Sequence, residues 1–166
     1  ALTDIDGRRH FQAEDMTRGA LGLAGAETLE NEVRVFLGDW ETAIGPGAHA
    51  LTMAGDDFGF DLQLEPVKAA VAHGEGGYSR KGSDPSRASC YYSVTRLAAA
   101  GRIGTSGAFV PVSGTAWMDH EYSTAPLDPE LEGWDWFSLQ LSDGADLMRY
   151  LLREKDGGLH PASSGT

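Results

Sequence analysis

Apolar and polar residues alternate along much of this chain with a period of two. In the segment DFGFDLQLE, residues 57–65, the phenylalanines and leucines fall on one face and the acidic and amide side chains fall on the other. This alternation is typical of a half-buried antiparallel strand. The same period, or enrichment in aromatic and β-branched residues, predicts further strands at 32–37, 89–97, 108–122 and 134–141.

Glycine-containing turn pairs separate these segments. Asp-Gly or Gly-Asp pairs lie at 6–7, 55–56, 143–144 and 156–157. Glycine adopts the positive φ angles that tight hairpins need, and the 22 glycines of the chain are scattered rather than periodic. Many short strands joined by tight turns predict an all-β, antiparallel domain, built as a barrel or as a sandwich.

The segment from Leu147 to Arg153 allows two interpretations. Its apolar residues recur four apart, as on a helix, with Leu147 above Leu151 and Met148 above Leu152. The Asp-Gly pair directly before it favours the second arm of a hairpin. We therefore predict a strand.

Length and charge exclude several classes of protein. The 166 residues suffice for one domain that buries a core without disulfides. The net charge is −12, and the 13 basic residues are dispersed, which argues against binding to nucleic acid. The sequence contains no apolar run long enough to span a bilayer, so we predict that the chain is not transmembrane.

No cofactor or metal site is predicted. Cys90 is the only cysteine, so no internal disulfide can form; its aromatic neighbours favour a buried, apolar role. Neighbouring strand residues such as Asp119, His120 and Glu121 point to alternate faces and cannot converge on one ion. The sequence also lacks the strand-to-helix serine motif of hydrolases and a phosphate-binding loop.

The richest candidate chemistry lies in GTAWMDHEY, which ends at Tyr122. On a strand, Trp117, Asp119 and Glu121 point one way, while His120 and Tyr122 point the other. Burial of a carboxyl group against an aromatic ring favours its protonated form, so this pair of carboxyl groups is a candidate general acid. The alternative is a polar strand face with solvated acids.

A second aromatic group is Trp134-Asp135-Trp136. A strand places both indoles on one face and the acid on the other. We favour a layer of the core for at least one of the two tryptophans, and the alternative is an aromatic wall around an apolar ligand. Both roles can hold at once.

Taken in order, several segments of the chain resemble the AttH-like family, which is related to the carotenoid 1,2-hydratases and whose members are often labelled as secreted hydrolases. The resemblance covers nearly the whole chain, and its most specific parts are AWMDHE and GWDWFSLQL. The matching segments are ALTD (1–4), MTRGALGLAGA (16–26), DW (39–40), FDLQLEP (60–66), KG (81–82), YYSVTRL (91–97), VSGTAWMDHEY (112–122) and GWDWFSLQL (133–141).

The resemblance implies a protein of two calycin-type, lipocalin-like barrels with an apolar cavity near their junction. Residues 1–166 are then a single lipocalin-like domain, corresponding to most of the first barrel and reaching the inter-domain region near 160–166. We therefore expect an incomplete barrel that pairs with the absent N-terminal strands and second barrel, or with itself. A periplasmic, cell-envelope or secreted location is implied by the same resemblance.

The resemblance also implies roles for individual residues. Asp119 aligns with the acid of the carotenoid hydratases. Cys90 stands where a histidine is expected, and Tyr92 and Trp117 stand where other aromatic residues are expected. Because only the acid of the hydratases is matched in this sequence, the resemblance does not imply that the substrate is a carotenoid.

Two functions follow as hypotheses. The first is acid-assisted hydration or cyclisation of an apolar, unsaturated lipid or terpenoid, with Asp119 as proton donor and Glu121 as its neighbour. The second is a non-catalytic lipid carrier or envelope-associated binding module. A buried Asp119 facing a cavity favours the enzyme, and an Asp119 bonded to backbone amides favours the carrier. The candidate ligand-binding residues are Tyr92, Trp117, His120, Tyr122, Trp134 and Trp136.

Overall fold

A computed structural model describes residues 1–105, 108–124 and 127–166. Throughout these ranges the chain forms strands, turns and loops. No helix capable of crossing a membrane occurs in the described ranges. The strands are β1 (Leu2–Asp4), β2 (Arg9–Phe11), β3 (Ala24–Leu29), β4 (Glu32–Leu37), β5 (Trp40–Ile44), β6 (His49–Ala54), β7 (Phe58–Pro66), β8 (Val71–Ala72), β9 (Tyr78–Arg80), β10 (Ala88–Thr105), β11 (Ala108–Tyr122), β12 (Leu131–Gln140), β13 (Asp146–Glu154) and β14 (Ser164–Gly165).

The predicted all-β, antiparallel class is confirmed. Strands β4 and β11 have the predicted bounds, and β7 begins and ends one residue later than predicted. The ambiguous segment is strand β13, which pairs antiparallel with β12 so that Tyr150 lies opposite Trp136. The sequence pattern missed β3, β5 and β6, whose alternation of apolar and polar residues is weaker.

The strands form three sheets. In the largest, β3 to β7 lie side by side in chain order, followed by β10 and β11, and β8 and β9 also pair with β10. Strands β12, β13 and β14 form a second sheet, and β1 and β2 form a third. In the described ranges these sheets are open and do not close into a barrel.

The chain divides into two compact units. The first contains residues 1–66 and 98–115, and the second contains residues 67–97 and 116–166, so β10 and β11 contribute to both. In the first unit Met53 and Phe58 are buried, and the ring of Phe11 lies 6.2 Å from that of Phe58.

The core of the second unit is built mainly by one face of β13. Met148, Tyr150 and Leu152 alternate along that strand and are each at least 96% buried, next to Tyr91 and Leu131. Burying an apolar side chain of this size stabilises the fold by about 2 kcal/mol. Trp117, one of the candidate site residues, packs against this core.

Two of the four predicted turns use a positive φ at glycine. Gly144 has φ of 90° and Gly157 has φ of 88°. In the turn between β1 and β2, Arg8 takes the positive φ instead, and Gly7 donates its backbone N–H to Asp4 at 2.8 Å. The prediction of a positive φ at Gly7 is therefore wrong: Gly7 lies against the Asp4 carboxylate, where a side chain would collide.

A buried ion-pair cluster fixes the start of β13. The side chain of Asp146 is 3% exposed and accepts bonds from Arg96 at 2.6 Å, Lys68 at 2.7 Å and Thr95 at 2.9 Å. Hydrogen bonding, first from Arg96, lowers the pKa of Asp146 to about 2. These bonds tie β13 to β10 within the second unit.

Candidate functional site

Strand β11 presents its predicted site residues on two faces. Trp117, Asp119 and Glu121 alternate along one face. On that face, Asp119 contacts Ser93 and Glu121 contacts Ser89, both on strand β10. The two carboxylates therefore contact serines that lie four residues apart on the neighbouring strand.

Asp119 is an acceptor of two side-chain hydrogen bonds. The indole N–H of Trp117 donates to its Oδ1 at 2.8 Å, and the hydroxyl of Ser93 donates to the same oxygen. Asp119 is exposed and bonds no backbone amide among the described contacts. The enzyme hypothesis expected Asp119 to be buried and facing a cavity, and the carrier hypothesis expected it to bond backbone amides. Neither condition is met.

Behind Asp119 lies a buried histidine. Ser93 is fully buried, and its hydroxyl lies 2.7 Å from Nε2 of His73, which is 1% exposed. Nδ1 of His73 lies 2.9 Å from the hydroxyl of Thr166. Burial lowers the pKa of His73, which keeps the ring neutral. A neutral imidazole has one donor and one acceptor nitrogen, so every hydrogen bond from Thr166 through His73 and Ser93 to Asp119 can have one donor and one acceptor.

Glu121 forms the second polar group. Its Oε1 accepts a bond from the hydroxyl of Ser89 at 2.5 Å and an ion pair from Nζ of Lys81 at 3.0 Å. The same ammonium lies 3.8 Å from the ring centre of Tyr150 and 5.0 Å from that of Tyr91. Cation–π attraction to these rings holds Lys81 in place.

A cavity of about 270 Å³ lies beside this pair in the second unit. Its lining is mostly aromatic and aliphatic, with a few charged groups at which a ligand could be oriented. The apolar walls are Tyr91, Leu127, Trp134, Trp136, Tyr150 and Leu152, and the charged lining groups are Lys81, Arg87 and Glu121.

Trp136 and Tyr91 set the geometry of the aromatic wall. The indole N–H of Trp136 donates to the Tyr91 hydroxyl at 3.0 Å, and the Trp117 ring meets the Trp136 ring edge to face at 6.3 Å. Burial raises the pKa of Tyr91 to about 12, so its hydroxyl stays protonated at neutral pH. Trp134 is 58% exposed and Trp136 is 39% exposed, so the prediction that at least one of them belongs to the core is wrong, because both line the open cavity instead.

The remaining predicted residues lie together on the opposite face of β11. The hydroxyl of Tyr92 is 3.0 Å from Nδ1 of His120, and the His120 ring lies 5.2 Å from the ring of Tyr122. Tyr122 also contributes to the cavity lining. Cys90 is exposed, and the prediction that it is buried is wrong, because the alternation of β10 turns its neighbour Tyr91 inwards instead.

Comparison with known proteins identifies the family. The profile of the AttH-like family matches residues 1–166, the whole chain. The chain belongs to the AttH-like family. A crystal structure from Nitrosomonas europaea, described as that of an AttH candidate, is 38% identical to this AttH-like chain, with a TM-score of 0.78 over 87% of the chain. A search of the curated proteins finds no match.

This AttH-like chain spans less than half of that relative, covering 45% of its length. The high identity and TM-score show that the strand arrangement is shared along the matched part.

Several residues of the site in this AttH-like chain were missed from the sequence. Lys81, Ser89, Ser93 and His73 all contact the predicted site residues or one another. Ser89, Tyr91 and Ser93 are every second residue of a predicted strand. The period of two therefore places the two serines on the same face as Tyr91. His73 and Lys81 lie in loops or at strand ends, where no period indicates what they contact.

Proposed function

We propose that this AttH-like chain binds a small apolar ligand in the cavity of its second unit. The observation that carries the proposal is the cavity itself, in which aromatic and aliphatic walls surround one lysine–glutamate pair. Binding sites for small molecules combine apolar walls with few polar groups in this way. The proposed role is that of a lipocalin-type binding module.

The exposure of two tryptophans supports this role. Trp134 and Trp136 are 58% and 39% exposed although both line the cavity. Covering an indole with an apolar ligand removes apolar surface from water, which is favourable by about 25 cal/mol per Å². Tyr91 and Leu152, which are buried, give the ligand a firm floor.

Binding can be tested with N-phenyl-1-naphthylamine, an uncharged probe that fluoresces in apolar surroundings. We expect saturable binding at one site per chain. The substitution Trp136→Ala should weaken binding by about tenfold, because it removes one wall and the bond that orients Tyr91. Fluorescence titration of both proteins measures the change.

Trp40→Ala is the matched control, since Trp40 lies in the first unit and borders an apolar groove there. The proposal predicts unchanged probe affinity in this variant. Loss of binding in Trp40→Ala with retention in Trp136→Ala would move the site to the first unit, and absence of saturable binding in the unmodified protein would contradict the proposal.

A second candidate function is acid-assisted hydration of an unsaturated apolar ligand, favoured by the position of Glu121 in the cavity lining. In this reaction a protonated carboxyl group donates its proton to one alkene carbon, water adds to the other carbon, and the proton released by that water returns to the carboxylate. Asp119 is the acid implied by the family resemblance, but it lies outside the described cavity lining.

Farnesol, an acyclic isoprenoid with a terminal double bond, is a suitable test substrate in isotopically labelled water. Hydration predicts incorporation of one labelled oxygen, detected by mass spectrometry, and loss of incorporation in Asp119→Asn or Glu121→Gln. Retention of the activity in both variants would exclude these carboxyl groups as the acid, and no incorporation by the unmodified protein would leave binding as the function.

A further inference from the structure

Two hydrogen-bond donors in the cavity converge on one carboxylate oxygen. Nζ of Lys81 lies 3.0 Å from Oε1 of Glu121, and the hydroxyl of the buried Ser89 donates to the same atom at 2.5 Å. An ammonium and a hydroxyl that meet at one point form a binding position for an oxyanion. We propose that the ligand is an apolar monocarboxylic acid whose carboxylate replaces Glu121 at this position, an inference that rests on the proposed binding function.

The ammonium group of Lys81 is held in position without a ligand. Its ammonium is held 3.8 Å from the centre of the Tyr150 ring and 5.0 Å from that of Tyr91, and its side chain is 21% exposed. Both tyrosines are buried, so the rings themselves are fixed. A cation held in its binding geometry loses little conformational entropy when an anion binds.

The side chain of Glu121 can move away from Lys81. Its side chain is 39% exposed and it occupies the next-to-last position of β11, so a rotation can turn its carboxylate into water. The exchange replaces one carboxylate on Lys81 with another, and neither the free nor the bound state leaves the lysine unpaired. The glutamate thus marks the place that the carboxylate of the ligand takes.

The charge of the lining agrees with an anionic ligand. Arg87 is a second cation of the cavity, with its Nε 3.7 Å from Asp128, whereas Glu121 is the one carboxylate residue among the described lining residues. The cavity is therefore richer in positive charge than the chain as a whole, whose net charge is −12. Local positive charge in an acidic protein attracts anions to that point.

The test compares decanoate with 1-decanol, which share the apolar tail and differ in the head group. By calorimetry at neutral pH we expect decanoate to bind about tenfold more tightly than 1-decanol, as a charge-assisted bond to lysine implies. Lys81→Met should abolish this preference and leave 1-decanol affinity nearly unchanged, which also shows that the variant is folded. Glu121→Gln should strengthen decanoate binding, because the competing anion is gone.

Lys155→Met is the matched control, since Lys155 belongs to the same unit but does not line the cavity. It should bind both probes as the unmodified protein does. Equal affinity for decanoate and 1-decanol would overturn the carboxylate inference and leave the proposed binding function standing. Weaker decanoate binding in Glu121→Gln would overturn the exchange of carboxylates. Failure of both probes, together with failure of the naphthylamine probe, would overturn the binding function itself.

Discussion

Single residues of this chain differ widely in how much their charges matter to the fold. Asp61 and Arg102 form an exposed pair, with side chains 47% and 62% exposed, so solvent screens their attraction. Asp146, at 3% exposure, has exchanged water for bonds from Arg96, Lys68 and Thr95. A buried carboxylate that loses such partners is an uncompensated charge, which lowers the free energy of unfolding. We therefore expect Asp146 to be, among the charged residues described, the one whose substitution destabilises the fold most.

Stability should fall in acid through Asp146. Its pKa is about 2 in the folded chain against 3.8 ordinarily, so its ion pairs stabilise the fold fully above about pH 4. That stabilisation is lost as the pH falls towards 2, where the folded carboxylate takes up a proton. Asp146→Asn should lower the free energy of unfolding by about 3 kcal/mol at pH 7 and flatten its dependence on pH between 4 and 2. Urea unfolding at each pH measures both effects.

Asp61→Asn is the control for that experiment, because it removes a carboxylate from an exposed pair. Its free energy of unfolding should change by less than about 1 kcal/mol. An effect of Asp146→Asn as small as that of the control would show that the buried cluster does not stabilise the chain.

At the scale of elements, hairpin turns decide which strands form. Segment 147–153 carries the spacing of an amphipathic helix, yet it is strand β13. The turn that precedes it returns the chain directly beside β12, where the nine residues of β13 pair with the opposite strand and alternate ones exchange backbone hydrogen bonds with it. Long-range pairing with β12 therefore outweighs the helical spacing of Leu147 and Leu151.

We expect Gly144, in the turn between β12 and β13, to stabilise this hairpin. Gly144 has φ of 90°, a conformation that L-residues with a side chain rarely adopt. Gly144→Ala should therefore lower the free energy of unfolding by about 1 kcal/mol or more, measured by urea unfolding. In Gly114→Ala, where the added carbon meets no atom within 4 Å and φ is not positive, stability should be unchanged or slightly higher. Equal effects of the two substitutions would contradict this role for the turn.

At the scale of the molecule, the largest sheet ends in two strands, β3 on one side and β11 on the other. Strand β3 lies mostly exposed along its length. Unpaired backbone groups at a sheet edge are templates for another strand. The expectation from the sequence that this polypeptide pairs with further strands or with a copy of itself stays a prediction.

Light scattering as a function of concentration tests that prediction. We expect the mean mass to rise with concentration, because edge strands of two copies can pair. Thr28→Lys on β3 should reduce the association, since a lysine on an edge strand opposes pairing. Thr52→Lys on β6, which is flanked by strands on both sides, should not reduce it. A monomer at all concentrations would contradict self-association.

The sequence by itself determined the secondary structure class and the facing of side chains along each strand. The period of two in residues 57–65 and 108–122 carries that information locally, because successive side chains of a strand must point to opposite faces. For the same reason Trp117, Asp119 and Glu121 could be assigned to one face and His120 and Tyr122 to the other without any structure.

Only the tertiary structure decided which chemical groups meet. The pairing of β8 and β9 with β10, and the loops around them, bring His73 to Ser93, which bonds Asp119, and bring Lys81 to Glu121. Both residues are more than 30 positions away in the chain from the carboxylates. The same pairing leaves Asp119 exposed and places Tyr92 on the other face from it. Local periodicity fixes the direction of a side chain, but its neighbours and its exposure to water depend on strand register and on distant segments, which no local pattern encodes.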